Sequence, residues 1–194
     1  MVKGPTVQDL PLVERALDGD LAAFEELVNH YRADVYRVAA RIVGPEDAED
    51  VAQDAFLRAF HKLDTFRGES FRSWLLRITH NRALNVLARR RPALVDPLEQ
   101  PEQLEGEYQP RLDPARKLEE SERRARLASK LEQLRPAHRS VLVLRDLEGF
   151  SYEEIAEVTD SPLGSVKGRL HRAREELIEI LRANTYDWEL PDER

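Results

Sequence analysis

Basic residues near the C-terminus have the types and spacing that contact with DNA requires. Residues 164–174 hold four cationic side chains and no acidic one. At 3.6 residues per helical turn, Val166, Leu170 and Ala173 share one side, which must face a core and leaves the other side to a ligand. Arginine and lysine can pair with guanine O6 and N7 in the major groove. The candidate DNA contacts are Ser165, Lys167, Gly168, Arg169, His171 and Arg172.

The elements around this segment are typical of a helix-turn-helix unit. Ser151 and Glu154 form an S-x-x-E capping box, which predicts a short helix over 152–158. Ser161 is the predicted N-cap of a second helix, with Pro162 as its first residue and an end near Arg182. Two such helices with a short turn form the helix-turn-helix, whose second helix enters the groove. The alternative is a helical hairpin whose basic face binds nothing.

Gly168 lies inside this second helix, where glycine costs about 1 kcal/mol relative to alanine. Two explanations stay open. Either the backbone approaches DNA closely at this point, or the helix tolerates glycine at an exposed position.

A second basic zone covers residues 67–91, with seven arginines and one acidic residue. Its first part mixes arginines, amides and aromatic rings, a combination that suits single-stranded nucleic acid. Phe71 and Trp74 can equally be core residues. The loop Asp64–Ser70 is the better predicted place for an extruded base.

The predicted helix Glu46–Phe60 carries five acidic residues and no base over 46–54. Such a helix does not favour DNA. It can bind a basic protein surface, or it can be an ordinary solvated face.

Helical periodicity predicts an all-α fold. Asp20 is expected to cap a helix, Ser70 another, and further helices are expected near Val7–Leu17, 114–134 and 136–147. The run Val141–Leu144 is predicted to be buried helix rather than strand. The expected apolar faces of the helices beginning after Asp20 and at Pro45 comprise Leu21, Phe24, Leu27, Val28, Tyr31, Val35, Val38 and Ile42, then Val51, Ala55, Phe56 and Leu57.

Five of the 11 prolines fall within Pro92–Pro114, in an acidic stretch. This composition predicts an extended acidic linker at 93–115 between two small helical domains, 1–92 and 116–183, followed by a tail at 184–194. The net charge of −7 is therefore the sum of basic and acidic zones and does not argue against DNA binding. With no cysteine, disulfides and thiolate metal sites are excluded. No apolar run has the length of a membrane span, and a cytoplasmic protein is expected.

Several motifs, in order along the chain, resemble those of bacterial ECF-type sigma factors, the small two-domain transcription initiation factors. They are Ala23–Leu27, Asp47–Phe56, Phe66-Arg67-Gly68 with Trp74-Leu75, Asn81-Arg82-Ala83, and Leu144-Arg145 through Arg174. Position 85 is often aspartate in the family and is asparagine here, and Gly168 replaces the commoner serine.

The resemblance implies roles for particular residues. Segment Asp47–Arg58 resembles the part that docks on the β′ clamp helices of RNA polymerase, with Asp47, Asp50, Gln53, Asp54 and Phe56 as the implied contacts. The loop and the following helix resemble the −10 reader, through Asp64, Phe66, Arg67, Ser70, Asn81, Arg82 and Asn85. The C-terminal helix-turn-helix resembles the −35 reader.

The resemblance implies a factor that binds core RNA polymerase (β′ clamp helices and β flap), recognises −35 and −10 promoter DNA, and melts the −10 region without a cofactor. An anti-sigma factor is a further partner that the family allows. The alternative from another class is a helix-turn-helix regulator that binds a palindrome as a dimer without polymerase. An enzyme is disfavoured because the five histidines show no close ligand spacing and no nucleophile motif stands out.

Overall fold

The computed structural model describes residues 9–67, 70–89 and 126–183. These residues form helices, turns and connecting segments without a strand, which confirms the all-α prediction. Residues 93–115 and 184–194, the predicted linker and tail, lie outside the described residues, as does Gly68. No helix in the described ranges has the length and hydropathy needed to cross a membrane.

The N-terminal domain contains four α-helices and a short 3-10 turn. They are α1 (Asp9–Leu17), α2 (Leu21–Val43), α3 (Pro45–His61), the 3-10 turn Leu63–Thr65 and α4 (Phe71–Arg89). Helices α2, α3 and α4 pack against one another, and α1 packs against α2.

Local signals set the helix ends. The Asp20 carboxylate accepts hydrogen bonds from the backbone N–H groups of Ala22 (3.0 Å) and Ala23 (3.2 Å), as expected of an N-cap. Gly44 ends α2 at a φ of 94°, and Pro45 then begins α3. The Ser70 hydroxyl accepts a hydrogen bond from the N–H of Ser73 (3.2 Å), which confirms Ser70 as a cap of α4.

Two leucines were wrongly expected in the core. Leu21 is 67% exposed because it is the first residue of α2, ahead of the turns that α3 and α4 cover. Leu57 is 57% exposed. The buried residues of α3 follow one stripe through Ala48, Val51, Ala52, Ala55 and Ala59, and a residue two positions beyond Ala55 points away from it.

The C-terminal domain contains four helices. Helix α5 covers residues 126–132 of the described part, and α6 (Pro136–Leu142) continues into a π-helical turn (Val143–Leu147). Helices α7 (Tyr152–Thr159) and α8 (Leu163–Arg182) follow. The predicted helix from Pro136 is thus not purely α-helical, since its last five residues adopt the wider turn. Val141 to Leu144 are buried in helical conformation, which confirms that this run is not a strand.

The capping box of α7 is present as predicted: Ser151 Oγ accepts from the Glu154 N–H (3.1 Å), and the Glu154 carboxylate accepts from the Ser151 N–H (2.7 Å). The expected role of Ser161 is wrong. Helix α8 begins at Leu163 with Pro162 in the N-cap position, and the Ser161 hydroxyl donates to the carbonyl of Thr159 (3.1 Å). Asp160, at a φ of 50°, ends α7 and leaves Ser161 inside the turn.

The two domains pack directly against each other. Helix α4 lies against α7, and α2 lies against the π-helical turn and α6. The buried apolar side chains of both domains form one continuous cluster.

Candidate nucleic-acid interface

The helix-turn-helix is held by its own small core. Ile155 and Val158 of α7 are fully buried, as are Val166, Leu170 and Ala173 of α8. Helix α7 packs on α8, and α6 supports α8 from behind. The turn between α7 and α8 consists of Asp160, Ser161 and Pro162. This packing confirms the predicted inner side of α8 and leaves the opposite side to solvent.

The predicted −35 residues form one accessible face near the start of α8. Ser165, Lys167, His171 and Arg172 are exposed, whereas Gly168 and Arg169 are half-buried. The Arg169 guanidinium lies 3.5 Å from Ser161 Oγ, and the Lys167 amine lies 5.9 Å from the centre of the Tyr152 ring. The cations are therefore displayed at different depths along one helix, as a groove-reading helix requires.

Two arginines of α8 that are adjacent in pattern differ in environment. Arg172 is exposed, and its Nη2 atom lies 3.9 Å from the place a Cβ would take on Gly168. Arg174 instead donates two hydrogen bonds to Asp146, at 2.7 and 3.1 Å. These hydrogen bonds to Asp146 raise the pKa of Arg174. Arg172 is thus available to DNA, and Arg174 ties α8 to the π-helical turn.

The predicted −10 loop is ordered by an aromatic cluster. The Phe66 ring contacts both Phe71 and Trp74 edge-on, with centres 5.7 Å apart in each pair. Phe71 is buried and Trp74 is half-buried, so the core reading holds for Phe71 and partly for Trp74. The Arg67 guanidinium donates to the carbonyl of Asp64 (2.8 Å), which brings both loop residues together.

The predicted −10 residues of α4 lie on one face. Asn81 and Asn85 are exposed and four positions apart, so their amides project from neighbouring turns. Arg82 is half-buried and forms an ion pair with Asp54 of α3. Because Asp54 also pairs with Arg58 (2.8 Å), a residue expected to contact polymerase is engaged with a residue expected to contact DNA.

The rest of the predicted polymerase-docking set lies along α3. Asp50 and Gln53 are exposed, and Asp47 and Phe56 are half-buried. Sequence reasoning missed an apolar strip beside them, in which Leu57 and Phe60 are exposed and Phe60 meets Phe24 of α2 with ring centres 5.0 Å apart. Spacing three apart on α3 was the available signal, and it was misread as core.

One histidine on α4 is buried without a hydrogen-bond partner. Neither ring nitrogen of His80 has one among the described residues. Burial lowers the pKa of His80 to about 4, and the positive charge of Arg169 acts in the same direction. His80 is therefore neutral near pH 7. The described residues hold no group of three or more side chains suited to a metal ion.

An exposed basic helix in a helix-turn-helix, packed beside a second helical domain with an arginine- and amide-bearing helix, defines a two-domain DNA-binding protein. Residues 27–92 match the family model of Sigma-70 region 2, and residues 124–177 match that of Sigma-70, region 4. The chain belongs to the ECF family of RNA polymerase sigma factors. As a sigma factor, it directs promoter recognition and transcription initiation.

Relatives in sequence and structure cover nearly the whole chain. The RNA polymerase sigma-H factor of Pseudomonas aeruginosa is 39% identical over 90% of this chain and 94% of its own length. The ECF RNA polymerase sigma-E factor of Escherichia coli is 41% identical over 86% and 91%, respectively. CnrH, solved in complex with the cytosolic domain of CnrY, has a TM-score of 0.66 at 31% identity, covering 91% of this chain and 99% of CnrH.

Proposed function

We propose that the α8 face formed by Ser165, Lys167, Gly168, Arg169, His171 and Arg172 reads the −35 element. The exposed side chain of Arg172 on a helix whose opposite side is buried is the observation that carries this assignment. Arginine can donate two hydrogen bonds to one guanine in the major groove, and lysines beside it can hold phosphates. The protein itself performs no chemistry, which the polymerase supplies.

The N-terminal domain is assigned to the −10 element. The loop residues Asp64, Phe66, Arg67 and Ser70 and the α4 residues Asn81, Arg82 and Asn85 would hold the melted strand. Aromatic rings beside amides and arginines support this, because unstacked bases gain contacts there that offset an unstacking cost of about a few kcal/mol. Half-buried Phe66 and Trp74 are the rings accessible enough to take part.

Core RNA polymerase is the proposed protein partner, in the cytoplasm where transcription takes place. Asp47, Asp50, Gln53, Asp54 and Phe56 of α3 would meet the β′ clamp helices, and the C-terminal domain would meet the β flap. The exposed carboxylate of Asp50 next to an apolar strip suits a basic, partly apolar surface. A second, inhibitory protein partner is also proposed, because CnrH was solved in complex with the cytosolic domain of CnrY.

Substitution of two arginines tests the −35 assignment. Arg172→Ala should cost about 1–3 kcal/mol at one base pair, a loss of about 5–150-fold, when holoenzyme binding is measured on promoters with each −35 base changed in turn. The control Arg174→Ala removes the same charge from the same helix but breaks only the contact with Asp146. Base preference that is unchanged in Arg172→Ala would contradict the assignment.

A further inference from the structure

The two domains are joined by ion pairs around one buried carboxylate. Glu148 follows the π-helical turn of the C-terminal domain, and its side chain is only 3% exposed. It accepts from Arg37 Nε at 3.0 Å and pairs with Arg41, both on α2 of the N-terminal domain. A carboxylate this buried needs its cations, because an unpaired charge in such a place is costly.

The arginine side of this contact is itself held in place. Asp34 pairs with Arg37 at 2.6 Å and with Arg72 of α4 at 2.9 Å. Although burial acts against it, pairing with Arg72 and Arg37 lowers the pKa of Asp34, so the carboxylate stays charged. The Arg72 guanidinium in turn lies 4.2 Å from the centre of the buried Phe150 ring, across the domain boundary.

Two further contacts cross the same boundary. Arg139 of α6 donates from Nη1 to the carbonyl of Ile42, near the end of α2, at 2.7 Å. Arg77 of α4 pairs with Asp160 of the turn in the helix-turn-helix at 2.7 Å. The boundary is thus closed by directional contacts at several places, in addition to its apolar packing.

This closed arrangement is incompatible with simultaneous reading of both promoter elements, an argument that rests on the proposed function. Elements centred near −35 and −10 are about 25 base pairs apart, which corresponds to about 85 Å of B-DNA. Domains in direct contact cannot reach sites at that separation. The contacts of Glu148 must therefore break before the factor engages both elements.

We propose that Glu148, with Arg37 and Arg41, is a latch that holds the free protein closed, and that engagement with polymerase and promoter releases it. The closed state lowers the apparent affinity for any partner that needs separated domains, in proportion to the fraction of open molecules. Weakening the latch raises that fraction without altering the DNA-reading residues.

Distance measurements on the free, full-length protein test the latch. The chain has no cysteine, so Glu26→Cys on α2 and Glu179→Cys on α8 provide two exposed positions for spin labels. The closed protein should give one narrow distance by pulsed electron spin resonance. Glu148→Gln should add a population at longer distances, raising the ratio of open to closed molecules about tenfold.

Two variants make the result decisive. Arg41→Gln weakens the latch from the other domain and should open the protein as Glu148→Gln does, with helicity unchanged by circular dichroism. Glu153→Gln removes the same charge from an exposed position on α7 and should keep the narrow distance. The latch is overturned if Glu148→Gln and Arg41→Gln match the unsubstituted protein, or if the latter is already broadly open.

The same variants separate the latch from the proposed function. Domain opening is measured without DNA or polymerase, so it does not depend on which bases the protein reads. Loss of promoter-specific transcription by an Arg172→Ala protein that still closes would concern only the reading of DNA.

Discussion

The substitution Gly168→Ala tests how α8 balances its own stability against contact with DNA. A methyl group added at Gly168 would meet only Arg172 Nη2, at 3.9 Å, which is an ordinary contact. Gly168 lies in the sixth position of a 20-residue helix, well inside it. Alanine there should therefore raise the free energy of unfolding by about 0.5–1 kcal/mol, because it restricts the unfolded chain and favours helix.

Thermal unfolding measures this effect. A gain of 1 kcal/mol should raise the Tm of a domain this small by about 4–8 °C. Gly19→Ala is the matched control: no atom lies within 4 Å of its added methyl group, but the φ of 94° disfavours a side chain. The same substitution should therefore destabilise at position 19 and stabilise at position 168. Lower stability of Gly168→Ala would refute the reasoning.

Binding of the same variant to −35 DNA decides between the two explanations of this glycine. If the DNA backbone approaches α8 at Gly168, the methyl group should weaken binding while stability rises. If glycine is only tolerated there, affinity for the −35 duplex should stay unchanged or improve with the helix. Holoenzyme titrations on one promoter, with Gly168→Ala beside the unsubstituted protein, give the answer.

Three other changes have defined outcomes. Ser151→Ala removes the capping hydrogen bond at the start of α7 and should lower the free energy of unfolding by about 1 kcal/mol in urea titrations. His80 has a pKa of about 4 when folded and about 6.5 when unfolded, so the unfolded chain takes up the proton first. Stability should fall by at most about 1.4 kcal/mol per pH unit as the pH drops from 6.5 to 4, and His80→Leu should flatten that slope. Asp50→Lys should weaken binding to core polymerase about tenfold or more by fluorescence anisotropy, whereas Glu179→Lys, equally exposed but on α8, should not.

Local signals in the sequence predicted the helices well because each depends on neighbouring residues. The capping by Asp20 and the box of Ser151 with Glu154 are formed as expected, and the inner side of α8 is buried where periodicity placed it. Ser161 was assigned wrongly because capping by serine depends on backbone dihedrals, and the left-handed Asp160 moves the helix start to Leu163.

Contacts between distant residues could not be predicted in this way. The pairing of Glu148 with Arg37 and Arg41 spans more than a hundred positions, and no local pattern distinguishes these residues from solvated charges. The exposure of Leu57 likewise depends on which stripe of α3 meets its neighbours, and alanines rather than larger residues form that stripe. Charge segregation indicated two DNA-facing zones but carried no information on how the domains pack.

The central claim is that this chain gives RNA polymerase its promoter specificity through two separate DNA-reading domains. In vitro transcription with bacterial core polymerase and a promoter library randomised at −35 and −10 tests it most directly. We predict initiation from a defined subset of sequences, loss of that specificity at one −35 base in Arg172→Ala, and no specific initiation without the protein. Tight binding of the protein alone to a palindrome, with no specific initiation by polymerase in its presence, would contradict the account.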